Sequence, residues 1–401
     1  MKMNFFIIGI LFVLTGCNNI SENTQQSQIS STPIKTSSPN AQKAQLSVTP
    51  TVTTTASSNV QKPKVSVRNK IIYENSIVST IIKFDKELPA DVWVNDNFIF
   101  SANELNNSLT KIDINTGNIL KTFNFEGNCV GITGDDKGNV YSLIYIHSAS
   151  QKLIKITRDD QVMELASRGD LFLGRVIPQP GLHSPCLMGN ELWIPAEFDM
   201  KTFNIETFFV NKIADSLNLM NDRFNEAYFQ ALCDLNFDSQ GILYMCEAGG
   251  NIKKFYNRKV TNLVSSGDNY EPGADGQILD VKIGSPTGMA IDTNKDYLYF
   301  SDISDLTIRK ISLKENKITT VAGKSIAYDS SYKGELKDGR EKEAVFYGPQ
   351  GLAVDKYGDV YVADTSNHAI RKITFPKNSE STPTLSIYPS PTSSVSPSPT
   401  P

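Results

Sequence analysis

The stretch from Phe346 to Ile373, which reads FYGPQGLAVDKYGDVYVADTSNHAIRKI, constrains the fold more than any other part of the chain. Alternating apolar positions such as Leu352 and Val354 predict short strands, and the segments 356–358 and 365–367 predict the turns between them. The stretch is therefore expected to form three antiparallel strands. Three strands cannot bury both faces of a sheet, so a stable fold requires this unit to recur along the chain.

Copies of this unit recur upstream. Residues 285–311 read SPTGMAIDTNKDYLYFSDISDLTIRKI and share the Pro-x-Gly, Tyr-x-x-Asp and Ile-Arg-Lys-Ile elements with 346–373. A fainter copy spans 233–255, and three more degenerate copies precede it. The second strands of the copies carry markers that are 42 to 62 residues apart: Ile99, Tyr141, Trp193, Tyr244, Tyr299 and Tyr361. Such a period with three or four strands per unit is typical of propeller blades and predicts six of them.

The two best copies resemble NHL repeats. The resemblance implies an all-β six-bladed β-propeller but no particular chemistry, because this fold supports many functions. The last copy shows only three strands, and the segment 77–82 is similar to the fourth-strand segment 318–321. We therefore expect the N-terminal strand to join the last blade and close the ring, which removes free sheet edges.

The first seventeen residues combine one basic residue, an apolar run over 5–14 and the ending LTGC at 14–17. Residues 1–17 are predicted to be a secretory signal, since the run is too short to span a bilayer. The ending resembles a bacterial lipobox, which implies that Cys17 is lipidated and holds the chain on the extracytoplasmic side of the bacterial cell membrane. The alternative is an ordinary signal peptide with an incidental Cys17.

Two segments are rich in Ser, Thr and Pro and poor in large apolar residues. Residues 18–66 and 377–401 cannot bury enough surface to offset their ordering entropy, so they are expected to be a disordered tether and a disordered tail. Residues 67–376 remain for the propeller. The chain has 39 Lys+Arg against 43 Asp+Glu, a net charge of −4. An acidic, exported propeller is not expected to bind nucleic acid.

Acidic residues recur at fixed positions in the copies. One set lies at the first turn, where we expect structural turn residues: Asp135, Asp238, Asp292 and Asp355. Another set follows the second strand, where we expect bonds across blades: Glu247, Asp302 and Asp364. None of these residues is assigned a catalytic role.

Cys233 and Cys246 flank a predicted turn at 238–241. If Phe237 pairs with Ile242, the two cysteines lie directly opposite each other. Their Cβ atoms would then be about 4.5–5.5 Å apart, slightly more than a disulfide prefers. The pair is a candidate disulfide in an exported chain, and two buried thiols are the alternative.

Three residues near the starts of first strands are candidates for a metal site in the channel: Asp91, Asn128 and Asp234. Gluconolactonase-type six-bladed propellers hold a divalent cation with Glu, Asn and Asp from different blades. The sequence at Asp91 resembles part of their motif but lacks its Glu and Gly-Pro, and capping of turns is the structural alternative. The sequence contains no nucleophile elbow, P-loop or EF-hand loop. No catalytic residue and no cofactor is therefore assigned.

Long connections between blades are concentrated on one face, at 166–184, 211–231, 265–285 and 324–348. Insertions on one face of a repeat protein often mark its binding surface, and aromatic and Arg side chains dominate interface energies. The candidate residues in these connections are Tyr270, Tyr328, Tyr332, Arg340, Tyr228 and Arg223. Part of two connections is itself repeated, because Asp275-Gly276 and Asp338-Gly339 each lie 11 residues before the proline of the next copy.

Together these patterns favour a lipid-anchored binding or scaffolding module that recognises an envelope protein or a carbohydrate through its long-loop face. A propeller hydrolase or lyase with a divalent metal in the channel is the alternative. A propeller that serves only as a spacer is a third interpretation.

Overall fold

The computed structural model describes residues 76–104, 106–147, 150–167, 184–195, 199–215, 232–257, 259–267, 270–326 and 334–376. Cys17 and the segments expected to be signal, tether and tail lie outside these residues. Among the described residues, no helix is long and apolar enough to cross a membrane. Their regular structure is β-strand apart from two short 3-10 helices, Glu341–Glu343 and Thr365–Asn367.

The strands are short and follow one another closely along the chain. Those of the first half are β1 Ile77–Lys83, β2 Pro89–Val94, β3 Phe98–Asn103, β4 Ser108–Asp113, β5 Ile119–Asn124, β6 Asn128–Gly134, β7 Val140–His147, β8 Ser150–Ile156, β9 Val162–Ala166, β10 Cys186–Met188, β11 Glu191–Pro195, β12 Asp199–Asn204 and β13 Val210–Asp215. Those of the second half are β14 Leu232–Phe237, β15 Leu243–Glu247, β16 Asn251–Tyr256, β17 Lys259–Ser265, β18 Gly276–Gln277, β19 Pro286–Asp292, β20 Tyr297–Asp302, β21 Thr307–Ser312, β22 Lys317–Ala322, β23 Gly339–Arg340, β24 Pro349–Val354, β25 Val360–Asp364 and β26 Ala369–Thr374.

These strands form six antiparallel sheets, which are the six blades of a β-propeller. Blades 1 to 4 are β2–β5, β6–β9, β10–β13 and β14–β17, and blade 5 is β19–β22 with β18 on its outer edge. Blade 6 is β24–β26 completed by β1 and β23. In every blade the first strand lies at one edge of the sheet, and first strands of neighbouring blades contact each other, as β24 contacts β19 and β2. These first strands are therefore the inner strands of the ring.

The N-terminal strand closes the ring, as the sequence predicted. Strand β1 pairs antiparallel with β26, with Val78 opposite Ile373, and its other edge pairs with β23. The Val78 side chain is 1% exposed and packs with Tyr299 of blade 5 and Leu352 of blade 6. Backbone pairing between the two ends of the folded region therefore completes the sheet of blade 6.

The hydrophobic core is divided among the spaces between neighbouring blades. One cluster joins Tyr299 and Ile308 of blade 5 to Val360 and Val362 of blade 6. The next joins blade 6 to blade 1 through residues such as Tyr361. Each blade thus buries both faces against its neighbours, which three or four strands could not do alone.

A buried arginine holds a long connection against blade 6. Arg371 donates hydrogen bonds to Asp364 at 2.8 Å, to Asp338 at 2.7 Å, and to the carbonyl oxygens of Val345 and Lys337. Burial raises the pKa of Asp364 to about 6 even though Arg371 lowers it, so this carboxyl is ionised at neutral pH. Asp364 therefore bonds within its own blade, and the expected bond across blades is wrong.

The same arrangement recurs in blade 5. Arg309 lies beside Asp302 within that blade and beside Asp275 of the preceding connection. Asp275 accepts hydrogen bonds from the backbone N–H and the hydroxyl of Thr320, which fixes β18 to the outer strand. The repeated Asp-Gly pairs in the sequence are therefore structural. Glu247 of blade 4 also pairs inside its own blade, with Lys253.

The first turn of three blades has a common hydrogen-bond pattern. Asp355 accepts hydrogen bonds from the backbone N–H groups of Tyr357 and Asp359 at 2.9 and 3.0 Å, and from the Tyr361 hydroxyl at 3.3 Å. The equivalent pairs are Asp135 with Tyr141 and Asp238 with Tyr244. The recurring turn aspartates therefore have the structural role that the sequence predicted.

Candidate functional site

Each inner strand has one equivalent position, which we name the ring position. It lies two residues before the inner-strand residue that pairs with an aromatic residue of the second strand. In blade 6, for example, Ala353 pairs with Tyr361 and the ring position is Gly351. The ring positions of blades 1 to 6 are Asp91, Gly131, Ser184, Asp234, Gly288 and Gly351. Blades 1, 3 and 4 thus carry polar side chains where the best repeats carry glycine.

Glycine at the ring position reflects a close approach of neighbouring strands. A Cβ atom on Gly351 would clash with the side chain and Cα of Asp91, and one on Gly288 would clash with the backbone of Gln350 and Gly351. The inner strands of blades 5, 6 and 1 are therefore in close contact at this level. Asp91 of blade 1 thus packs directly against the glycine of blade 6.

Asp91 is 3% exposed and accepts three hydrogen bonds from protein groups. Its Oδ1 accepts a hydrogen bond from the Val92 N–H at 2.8 Å. Its Oδ2 accepts hydrogen bonds from the Ile132 N–H at 2.9 Å and from the Ser184 hydroxyl at 2.8 Å. Asp91 therefore links blade 1 to blades 2 and 3.

Asp234 has a similar environment in blade 4. Its Oδ1 accepts hydrogen bonds from the Leu235 N–H at 2.7 Å and from the Asn236 amide at 3.5 Å. Its Oδ2 accepts a hydrogen bond from the Met289 N–H at 2.6 Å. Asp234 therefore links blade 4 to blade 5, as Asp91 links blade 1 to blade 2.

Ser184 connects these two carboxylates. Its N–H donates to the carbonyl oxygen of Cys233 at 3.1 Å, and Ser184 forms a parallel bridge with Asp234. Its hydroxyl donates to Asp91, which belongs to the blade opposite Asp234 in a ring of six. The three side chains therefore meet near the axis of the ring.

A cavity of about 200 Å³ lies beside these side chains and is lined by all six inner strands. It extends from the ring position to the C-terminal ends of the inner strands, at Val94, Asn236 and Val354. This end of the cavity lies on the face that carries the short first turns of the blades, opposite the long-loop face. Each inner strand is a sheet edge, so its free backbone N–H and C=O groups face this space. The described lining residues include Asp91 and Asp234 but no Lys, Arg or His.

Burial shifts the pKa of the carboxyl and thiol groups that line this cavity. Desolvation raises the pKa of Asp91 to about 7, against the lowering effect of its hydrogen bonds to Ile132 and Ser184. Desolvation also raises the pKa of Asp234 well above its usual range, and the charge of Asp91 adds to this rise. The Cys186 thiol, which lines the same cavity, has its pKa raised to about 12 by burial and is neutral. Both carboxyl groups are therefore harder to ionise than ordinary aspartates, and a cation beside them would favour their charged forms.

The structure brings together two of the three metal candidates. Asp91 and Asp234 both line the cavity, whereas Asn128 is not among its lining residues. In the part of the chain that the structure describes, no group of three or more His, Cys, Asp or Glu residues could hold a metal ion. Sequence reasoning missed Ser184, because its equivalence to Gly288 and Gly351 follows from the strand pairing in the structure.

The candidate residues on the long-loop face are only partly described. Arg340 lies exposed in β23, next to the exposed Ile77 of β1. The hydroxyl of Tyr270 is buried near Asp302 and Asp305, so this side chain packs against blade 5. The other four lie outside the described residues: Tyr228, Arg223, Tyr328 and Tyr332.

The predicted register of the two cysteines is wrong. Phe237 pairs with Leu243, and a β-bulge between Leu232 and Asp234 places Asp234 opposite Cys246. Cys233 is the extra residue of the bulge. Both cysteines are free, buried thiols in the structure, and they interact with each other within one hydrophobic cluster. A disulfide between them in the oxidised protein stays a prediction.

The six sheets define the protein as a six-bladed β-propeller. Residues 346–373, which form most of blade 6, match the family model described as NHL repeat. The chain therefore carries an NHL repeat in the blade that the N-terminal strand completes.

Two curated relatives match parts of this chain. It is 32% identical over 120 residues to Protein SUPPRESSOR OF QUENCHING 1, chloroplastic, from Arabidopsis thaliana. This match covers 30% of this chain and 10% of that protein. It is 30% identical over 115 residues to NHL repeat-containing protein 2 from Homo sapiens, which covers 28% of this chain and 14% of that protein. The chain thus matches only a small part of the length of these relatives.

Solved structures share the fold over most of the chain. A structural genomics protein of unknown function from Bacteroides thetaiotaomicron has a TM-score of 0.60 at 17% identity, covering 75% of this chain and 76% of that chain. An auxiliary nutrient binding protein from the same organism has a TM-score of 0.56 at 14% identity, covering 76% of this chain and 77% of that chain. At these identities the likeness concerns the fold.

Proposed function

We propose that this protein is a lipid-anchored, extracytoplasmic binding module whose propeller holds a small ligand in its central cavity. The observation that carries the proposal is the polar ring of Asp91, Ser184 and Asp234. Glycine serves at the ring position in three other blades, so the fold itself does not require a polar side chain there. Buried polar side chains that converge beside a cavity are typical of ligand sites.

Two further observations support the proposal, one on binding and one on location. A solved structure with the same fold is called an auxiliary nutrient binding protein. The sequence also combines a lipobox-like ending at Cys17 with a polar segment over 18–66, which suits a propeller tethered to a membrane and working outside the cytoplasm.

The long-loop face is a second surface of the proposed module, for an envelope protein or a carbohydrate. Arg340 is its candidate contact, since it lies exposed in β23 at the outer edge of blade 6, in a connection that the buried Arg371 holds. A rigid support of this kind lowers the entropy cost of binding. Tyr270 buries its hydroxyl but stays partly exposed, so its ring is the part proposed to contact a partner.

The metal-dependent hydrolase or lyase has less support. A divalent cation such as Ca²⁺ takes six to eight oxygen ligands. Asp91 and Asp234 each accept three hydrogen bonds already, which leaves about one acceptor position on each carboxylate. This is too few for such an ion, and Asn128 is not among the described lining residues. The described residues therefore favour binding over metal-assisted chemistry.

Membrane anchoring is tested by replacing Cys17 with Ser in the full chain. We expect the wild-type protein to incorporate labelled palmitate and to partition with the membrane fraction, and the Cys17→Ser variant to do neither. Membrane partition of the variant without label would contradict lipid anchoring through Cys17.

Ligand binding is tested by screening sugars, amino alcohols and amino acids against the purified propeller. The chain has only two tryptophans, and Trp93 lines the cavity. In a Trp193→Phe background, a cavity ligand should change the fluorescence of Trp93 in a saturable manner. Capture of envelope components by wild type and by Arg340→Ala tests the long-loop face separately. If neither assay detects binding, the proposed function is wrong.

A further inference from the structure

We propose that the central cavity binds a small organic cation, whose ammonium group lies between Asp91 and Asp234 and beside the hydroxyl of Ser184. This inference rests on the proposed function, because it names the chemical class of the cavity's ligand. It requires that the polar ring residues do more than complete the fold.

Comparison among the blades supports that requirement. Blades 2, 5 and 6 have Gly131, Gly288 and Gly351 at the ring position, and their inner strands pair with the second strands with the same kind of register shift that blades 1 and 4 show. A carboxylate is therefore not needed to build an inner strand. Burying one without a cationic partner disfavours its charged form. The two aspartates are thus costly for the fold, as residues retained for a ligand often are.

The remaining hydrogen-bond capacity of the site matches an ammonium group. An ionised carboxylate offers about four acceptor positions. Asp91 uses three of them, on Val92, Ile132 and Ser184. Asp234 also uses three, on Leu235, Met289 and Asn236. One acceptor position on each carboxylate and the Ser184 oxygen together match the three donors of an ammonium group.

The charge of the cavity favours a cation over a neutral ligand. The only titratable groups among its described lining residues are Asp91, Asp234 and the neutral Cys186, and none of the lining residues is cationic. With both carboxylates ionised, the cavity has two uncompensated negative charges. Burial raises the pKa of both aspartates, so each retains its proton to a higher pH than an ordinary aspartate when no cation is present. A cation that enters would replace protons.

The size and polarity of the cavity limit the rest of the ligand. A volume of about 200 Å³ is below the roughly 300–1,000 Å³ of pockets for drug-sized ligands. The free strand edges supply further hydrogen-bonding groups around the wall. A compact amine that also carries a hydroxyl group therefore suits the cavity better than a long aliphatic amine.

The test uses 2-aminoethanol, which is a cation at pH 8, and ethylene glycol as its neutral counterpart. Fluorescence of Trp93 is titrated with each compound in the full chain carrying Trp193→Phe. Asp91→Asn and Asp234→Asn remove the charges with little change of shape. Asp91→Gly and Asp234→Gly introduce the glycine that blades 5 and 6 have at the ring position. They serve as a second pair of variants in case an asparagine variant does not fold. Asp159→Asn, at an aspartate whose side chain is 80% exposed, is the matched control.

We expect saturable binding of 2-aminoethanol to wild type and to Asp159→Asn, and at least a tenfold loss of affinity in every Asp91 and Asp234 variant that folds. Ethylene glycol should bind at least tenfold more weakly. Equal binding of the two compounds, unchanged affinity in the variants, no saturable binding, or a response to Ca²⁺ but not to the amine would overturn the inference. A neutral sugar that binds in the cavity would also overturn it, but would leave the proposed function standing.

Discussion

The hydroxyl of Ser184 donates a hydrogen bond to Oδ2 of Asp91 at 2.8 Å, although the two residues are 93 positions apart in the chain. They belong to blades 3 and 1, and the backbone of Ser184 also bridges to Asp234 of blade 4. Three blades thus contribute to one buried polar group near the ring axis. Because blades 1 and 3 are not neighbours in the ring, this contact depends on the relative placement of several blades.

Closure by the N-terminal strand is tested by two neighbouring substitutions in β1. Val78 is 1% exposed, whereas Ile77 is 52% exposed. We expect Val78→Asp to lower the free energy of unfolding by about 3 kcal/mol or more, because it buries an unpaired charge in the core between blades 5 and 6. Ile77→Asp should have little effect. Urea unfolding measures both, and equal effects would contradict the closure described here.

The role of Arg371 in blade 6 is tested in the same way. Replacing it with Ala leaves Asp364 buried without its cationic partner and removes one donor from each of the carbonyl oxygens of Lys337 and Val345. We expect a loss of about 3–5 kcal/mol in the free energy of unfolding. Lys152→Ala, which breaks a solvent-exposed pair with Glu164, is the control and should change stability little. A small effect at Arg371 would show that the connection is held by other contacts.

Glu104 should make stability depend on pH. It is 5% exposed in the turn after β3, and no described residue hydrogen-bonds to its Oε2. Burial raises its pKa from 4.5 to about 7. Between these values the folded state holds a proton that the unfolded state has lost, so stability should fall as pH rises from about 4.5 to about 7.

Glu104→Gln removes this contribution, since glutamine does not titrate. Relative to wild type, the free energy of unfolding of the variant should increase by up to about 3 kcal/mol between pH 4.5 and pH 8, because one pKa unit corresponds to about 1.4 kcal/mol. Other raised carboxyl groups act equally in both proteins and cancel in the difference. Urea unfolding at the two pH values measures it. A difference that does not change with pH would show that Glu104 titrates normally.

The state of Cys233 and Cys246 is tested by thiol counting in denaturant without reductant. The structure has free thiols at all four described cysteines: Cys129, Cys186, Cys233 and Cys246. Protein kept reduced should therefore label at all of them. After treatment with a disulfide oxidant, a loss of label at Cys233 and Cys246 together would support the predicted bond, and retention at both would contradict it.

Much of the fold was predictable because the repeat places similar residues at similar structural positions. The tyrosines at 141, 244 and 361 each donate to a turn aspartate, so their spacing in the sequence follows the blades. The similarity of 77–82 to 318–321 predicted ring closure because both segments are outer strands that follow the same packing rules.

The site was only partly predictable, because its geometry depends on local irregularities and on distant blades. The first turn of blade 4 closes through a hydrogen bond from Asp238 N–H to the Ile242 carbonyl, so the strands resume at Leu243 and the cysteine register shifts. Ser184 ends a long connection before the three-residue strand β10, where no repeat pattern is visible. Its bond to Asp91 can be seen only in three dimensions.

Calorimetric titration of the full chain with 2-aminoethanol at pH 7, in two buffers of different ionisation enthalpy, tests whether an organic cation binds between Asp91 and Asp234. If a cation replaces protons on Asp91 and Asp234, the heat of binding must depend on the buffer in the direction of proton release. Proton release should disappear in the Asp91→Asn, Asp234→Asn double variant and persist in Asp159→Asn. Binding of the amine with no proton release, or release that persists in the double variant, would contradict the account.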